Sequence, residues 1–167
     1  MGTMAIAPEV IQRMQALKLA LEASAAGEAP SKGDLEQHIE QLADLVGDGL
    51  VGVDTEDIRY ALCGPSGQPP DELALAHGQI VPSWLPSNDM APVLDQIATT
   101  TWERADGVLA IIVAPPDTLK LKQVSELCRP VHARLPDSGI MICGTTTDSK
   151  IESGAYFTGI MTAVWQR

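Results

Sequence analysis

The apolar positions of this chain change period several times, and each change marks an element. Gly107 to Ala114 is a continuous apolar run, rich in β-branched side chains. A run this short reads as a strand buried on both faces. Pro115, Pro116 and Asp117 end it, because proline lacks the ladder donor and has a fixed φ. Leu121, Val124, Cys128, Val131 and Leu135 then recur at three- and four-residue steps, the spacing of one helix face. Pro130 within that helix predicts a kink near Glu126. Gly139 to Thr147 is apolar again and turns polar at its end. Strand, helix and strand in this order form a crossover unit, with the two strands parallel in one sheet.

On the N-terminal side, Val10, Met14, Leu17 and Leu21 make the apolar stripe of a helix over 8–25, with Pro8 in its first turn. The composition of Gly27–Gly33 is that of a linker. Leu35, Ile39, Leu42 and Val46 predict a second helix over about 34–46, capped by Asp34 and ended by Gly47 and Gly49. After Leu50, Val51 and Val53, the acidic stretch Asp54-Thr55-Glu56-Asp57 opens a short helix reaching Cys63. Gly64–Pro70 is a loop, and 72–81 is a strand that Pro82 terminates. Asn88 or Asp89 caps a helix over 89–102 in which Met90, Val93, Leu94, Ile97 and Thr101 share a face. A polar turn over 148–153 precedes a last strand over 154–164, antiparallel to its predecessor if the turn is a hairpin. The whole predicts an α+β fold: a four-stranded mixed sheet with helices 89–102 and 118–134 on one face and helix 34–47 alongside. Extra helical structure lies at the N-terminus, so residues 1–33 divide from a domain over 34–167.

Composition narrows the function classes. At 167 residues the chain buries a sizeable core, and it carries 11 basic against 22 acidic residues, a net charge of −11. That balance argues against nucleic-acid or anionic-membrane partners. No apolar run approaches the roughly 20 residues of a membrane span. The first four residues, MGTM, read as an expression remnant, and no secretory pattern follows, so a cytoplasmic location is expected. Cys63, Cys128 and Cys143 lie in apolar settings without CxxC spacing, as reduced structural cysteines do. His38, His77 and His132 are dispersed, and no metal or cofactor is expected.

With the elements in order, the segment DLEQHIEQLADLVGDGLVGVDTEDIRYAL resembles the core helix, following loop and next helix of the tubulin/FtsZ superfamily of filament-forming GTPases. ADGVLAIIVAPPDTLKLKQV resembles that family's GVLVNITGGPDLTL-type stretch, and GIMICGTTTDSKIESGAYFTGIMT fits its last two strands. The resemblance covers about 34–162 and implies a domain like the C-terminal half of that family. The family's nucleotide site lies in an N-terminal domain with a GGGTGTG-type loop, and no such loop stands before the helix at 34. Phosphate binding of that style needs converging backbone N–H groups at a helix start, so no GTPase activity and no catalytic residue is expected here.

The resemblance also gives a role to the acidic loop. Asp54 and Asp57 match the last two positions of the family's N-x-D-x-x-D loop, with Gly52 where asparagine is usual. In that family the loop enters the next subunit's nucleotide site, where its carboxylates position the attacking water. Asp54, Glu56 and Asp57 are therefore the expected interaction site. The competing explanation is local, since Asp54 is a good N-cap and Asp57 a good first-turn residue. The function expected is a non-enzymatic interaction module that pairs with itself, as a homo-oligomer, or docks on a filament-forming GTPase. Self-association is expected where a sheet face stays uncovered. The alternative is a small-molecule binder or enzyme on an oligomeric α+β sheet. Its one support is the polar cluster Thr145, Thr146, Thr147 and Asp148 at a strand end, which a hairpin turn also explains.

Overall fold

The computed structural model describes residues 8–28, 32–47, 49–81, 89–151 and 154–166. The MGTM start, Pro82 and Asn88 lie outside them. Four strands form one mixed sheet: β1 (Glu72–Ile80), β2 (Gly107–Ala114), β3 (Ile140–Thr147) and β4 (Tyr156–Val164). Their order is β1-β4-β2-β3, with β2 and β3 parallel and β4 antiparallel to both its neighbours.

The last strand is therefore not the hairpin partner of β3. All eight residues of β2 and the first eight of β4 are buried, whereas β1 and β3 are largely half-buried. The two strands that are apolar on both faces take the centre, and the two mixed ones take the edges. The chain leaves β3 with the Asp148 N–H bonded to Ala114 O at 2.9 Å, crossing the end of β2 rather than turning back on itself.

Alternation along the strands splits the core into two layers. Leu109, Ile111, Val113, Phe157, Met161 and Ala163 pack against α1 (Glu9–Ala25), α2 (Lys32–Val46) and α3 (Thr55–Cys63). Val108, Ala110, Ile112, Ala76 and Ile160 pack against α4 (Ala91–Leu94), α5 (Thr99–Arg104) and α6 (Leu121–Arg134). The helix expected alongside the 89–102 and 118–134 helices thus covers the opposite face. Asp34 sits within the first turn of α2 rather than before it.

The amphipathic N-terminal helix covers the sheet of its own chain. Val10, Ile11, Met14, Leu17, Ala20 and Leu21 of α1 are all buried. Ile11 Cδ1 and Met14 Sδ come so close to Gly159 on β4 that a Cβ there would meet them at 2.5 and 2.7 Å. The large apolar side chains left exposed among the described residues are Leu19, Leu50, Tyr60, Val81 and Leu121, spread over separate segments. Together with α2 and α3, α1 covers in its own chain the sheet face expected to drive self-association.

The helix predicted over 89–102 is broken. Ala98 is extended (φ −60°, ψ 145°), so α4 and α5 are separate. Leu94 O accepts instead from Ile97 N at 3.2 Å and from the buried Trp102 Nε1 at 3.1 Å. A side-chain donor and a tight turn have taken the acceptor that a continuous helix would use. By contrast α6 runs unbroken through Pro130.

Both sheet edges are partly covered, which limits pairing with foreign strands. On β1 the Gln96 side chain acts as a short strand: Oε1 accepts from His77 N at 3.2 Å and Nε2 donates to His77 O at 2.9 Å. On β3 the cover is the loop that carries the acidic residues.

Candidate interaction site

That loop begins where α2 ends at Val46, with Gly47 N bonded to Ala43 O at 2.8 Å. The chain then runs against the outer edge of β3. Thr145 N donates to Val51 O at 3.0 Å, and Val51 N donates to Thr145 Oγ1 at 2.9 Å. Thr146 Oγ1 donates to Leu45 O at 2.6 Å, tying the strand to the last turn of α2. Gly49 lies flat on Thr145, since a Cβ there would stand 1.6 Å from Thr145 O. Only glycine allows the backbones this close. Val53 is buried beneath the loop in the α1–α3 layer.

The loop delivers Asp54 to the start of α3 in an extended conformation. Asp57 N donates to Asp54 Oδ1 at 2.9 Å, and Asp54 N donates to Asp57 Oδ2 at 3.1 Å, a reciprocal capping box. Glu56 points outward between them and takes no part in the cap. Asp54 and Glu56 are exposed and Asp57 is half-buried. All three expected residues therefore gather at one helix start, with the negative charge where the helix dipole favours it. Behind them Arg59 of α3 pairs with Glu36 of α2 and bridges the two helices.

The threonine cluster has another task than either expected. Thr145 is buried and Thr146 half-buried, and their hydroxyls are spent on the loop and on α2. They do not form a hairpin turn, since β4 pairs with β2 and β1. The signal for this docking was present as the closely spaced glycines of GDGLVG, which mark backbone approaching backbone. Elsewhere, a cleft of about 390 Å³ between α5 and α6 is lined by Thr99, Trp102, Glu103, Pro130, Ala133 and Arg134. Its Arg134 is held by Asp95 at 2.8 Å. Among the described residues no three His, Cys, Asp or Glu side chains gather as a metal site would require, and no helix is long and apolar enough to cross a membrane.

No protein-family model and no curated protein matches the sequence. The fold itself has clear likenesses. It is similar to FtsZ from M. jannaschii, solved as an empty dimer, with a TM-score of 0.59 at 17% identity, over 86% of this chain and 42% of that one. It is similar to TubZ from Bacillus thuringiensis serovar israelensis in GDP-form protofilaments, with a TM-score of 0.52 at 17% identity, over 71% of this chain and 31% of that one. The TubZ-Bt four-stranded filament gives 0.55 at 13% identity, over 93% of this chain and 41% of that one. The four-stranded mixed sheet with its helices is thus a partial tubulin/FtsZ-type fold, and the chain spans less than half the length of each of these proteins.

Proposed function

We propose that this chain is an interaction module that docks on a filament-forming GTPase of the FtsZ or TubZ kind, through the face carrying Asp54, Glu56 and Asp57. The observation that carries the reading is the acidic helix start, seated by the Gly49–Thr145 contact, on a fold shared with an FtsZ solved as a dimer and a TubZ solved as a filament. In this reading the module occupies a subunit junction with its acidic loop, and these 167 residues carry no glycine-rich phosphate loop to present to the next subunit. The module therefore shortens polymers rather than extending them. The sequence has no glycine-rich phosphate loop, which supports a role without GTP binding or hydrolysis of its own.

Docking on another protein is favoured over pairing with itself, because α1 already fills the sheet face that a bare domain would bury in a homo-oligomer. The test is to titrate the purified protein into polymerising FtsZ or TubZ while following phosphate release and polymer length. The expected result is altered turnover with shorter polymers. Unchanged turnover and length at a molar excess would overturn the proposal.

A further inference from the structure

Cys128 on α6 and Cys143 on β3 meet with their sulfurs 2.7 Å apart. They stand 15 positions apart in sequence, one in the middle of α6 and the other inside β3, on either side of the turn from helix to strand. Both are half-buried and lie at the margin of the α4–α6 layer, so the pair is within reach of small reagents. The third cysteine, Cys63, is buried in the other layer among α1–α3. A covalent S–S bond is about 2.05 Å, so closing the gap requires a side-chain adjustment rather than a backbone rearrangement. We infer that Cys128 and Cys143 are a thiol pair that closes to an intrachain disulfide when a low-molecular-weight disulfide is supplied.

The two cysteines take different parts. Either sulfur can donate the hydrogen between them; with Cys128 as the acceptor its pKa is lowered, while that same bond and burial raise that of Cys143. Cys128 is therefore the thiolate that attacks first. Its sulfur bonds to one sulfur of the reagent, the reagent's S–S bond breaks, and one small thiolate leaves and takes up a proton. Cys143 then loses its proton to water and attacks Cys128 Sγ, expelling the second small thiolate. Two protein thiols are oxidised to one disulfide, and the reagent disulfide is reduced to two thiols. Cys63 stays out, because burial pushes its thiol up to about 11. The link pins α6 to the strand that two residues later, at Thr145, seats the acidic loop.

The experiment treats the full chain with glutathione disulfide, alkylates it after denaturation and weighs it intact. The expected product has lost two hydrogens, accepts one alkyl group instead of three, joins the Cys128 and Cys143 peptides, and reverts fully with dithiothreitol. Cys143→Ser should instead hold a stable glutathione adduct on Cys128, and Cys63→Ser should close as the parent does. A parent protein that keeps three reactive thiols, retains the glutathione adduct, or crosslinks through Cys63 overturns the inference. The parent's mass decides the matter even where a variant fails to fold.

Discussion

Asp54 and Asp57 bind each other's backbone: the carboxylate of each accepts the N–H of the other, at 2.9 and 3.1 Å. Each side chain therefore has a local structural task whatever else it does. Asp54→Ala removes the N-cap and should cost about 0.5–2 kcal/mol. Asp57→Ala keeps that cap and loses the return bond and a first-turn charge, a smaller effect of about 0.3–1 kcal/mol. Urea titrations of the two variants beside the parent measure the order, and an Asp57 variant less stable than the Asp54 variant would contradict the geometry.

Gly49 should be the least replaceable residue of the loop. An added methyl would stand 1.6 Å from Thr145 O, a backbone atom that does not move without β3. The expected response of Gly49→Ala is undocking of the loop, breaking the two Val51–Thr145 bonds, at about 1–3 kcal/mol. Amide exchange at Val51 and Thr145 should accelerate together, while exchange in the middle of β2 keeps its protection relative to global unfolding. Unchanged exchange at both sites would show that the contact is not needed.

Helix α1 should behave as part of the core. Leu17 is fully buried, so Leu17→Ala should cost about 2–5 kcal/mol. With the sheet face covered in cis, sedimentation of the parent across a wide concentration range should give one monomeric species. A monomer–dimer equilibrium that responds to Leu17→Ala would mean that α1 exchanges between chains.

What the sequence disclosed follows from how local each signal is. Val108–Val113 is apolar on both faces, and that alone marks a central buried strand. The place of β4 was not legible, because it depends on which strands most need cover on both sides, not on the turn before it. The break at Ala98 was hidden for a similar reason: Trp102 reaches back eight residues to Leu94 O, which no helix periodicity reports. The acidic helix start could be read from Asp54 and Asp57, since a capping box is a local pattern. Its anchorage on Thr145, 94 positions from Val51, could not.

The capping geometry also allows charge to be separated from structure, which decides the docking proposal. Asparagine caps helices about as well as aspartate, so Asp54→Asn should keep the bond from Asp57 N while removing the charge. Asp57→Asn retains an oxygen able to accept from Asp54 N in the same way, and Glu56→Gln touches no cap at all. All three variants should melt close to the parent, within the roughly 0.3–1 kcal/mol of a lost helix-dipole interaction. If carboxylates at this helix start engage a GTPase junction, the Asn variants lose their effect on polymer length and GTP turnover at unchanged stability. Glu56→Gln then reports whether the contact reads net charge or those two positions alone. Should all three variants act on the polymer as strongly as the parent, the carboxylates are caps only, and any docking surface lies elsewhere on the molecule. Raising the salt supplies the independent check: an interaction carried by exposed carboxylates weakens as the screening length shrinks from about 10 Å at 0.1 M to about 3 Å at 1 M, while the cap itself barely responds.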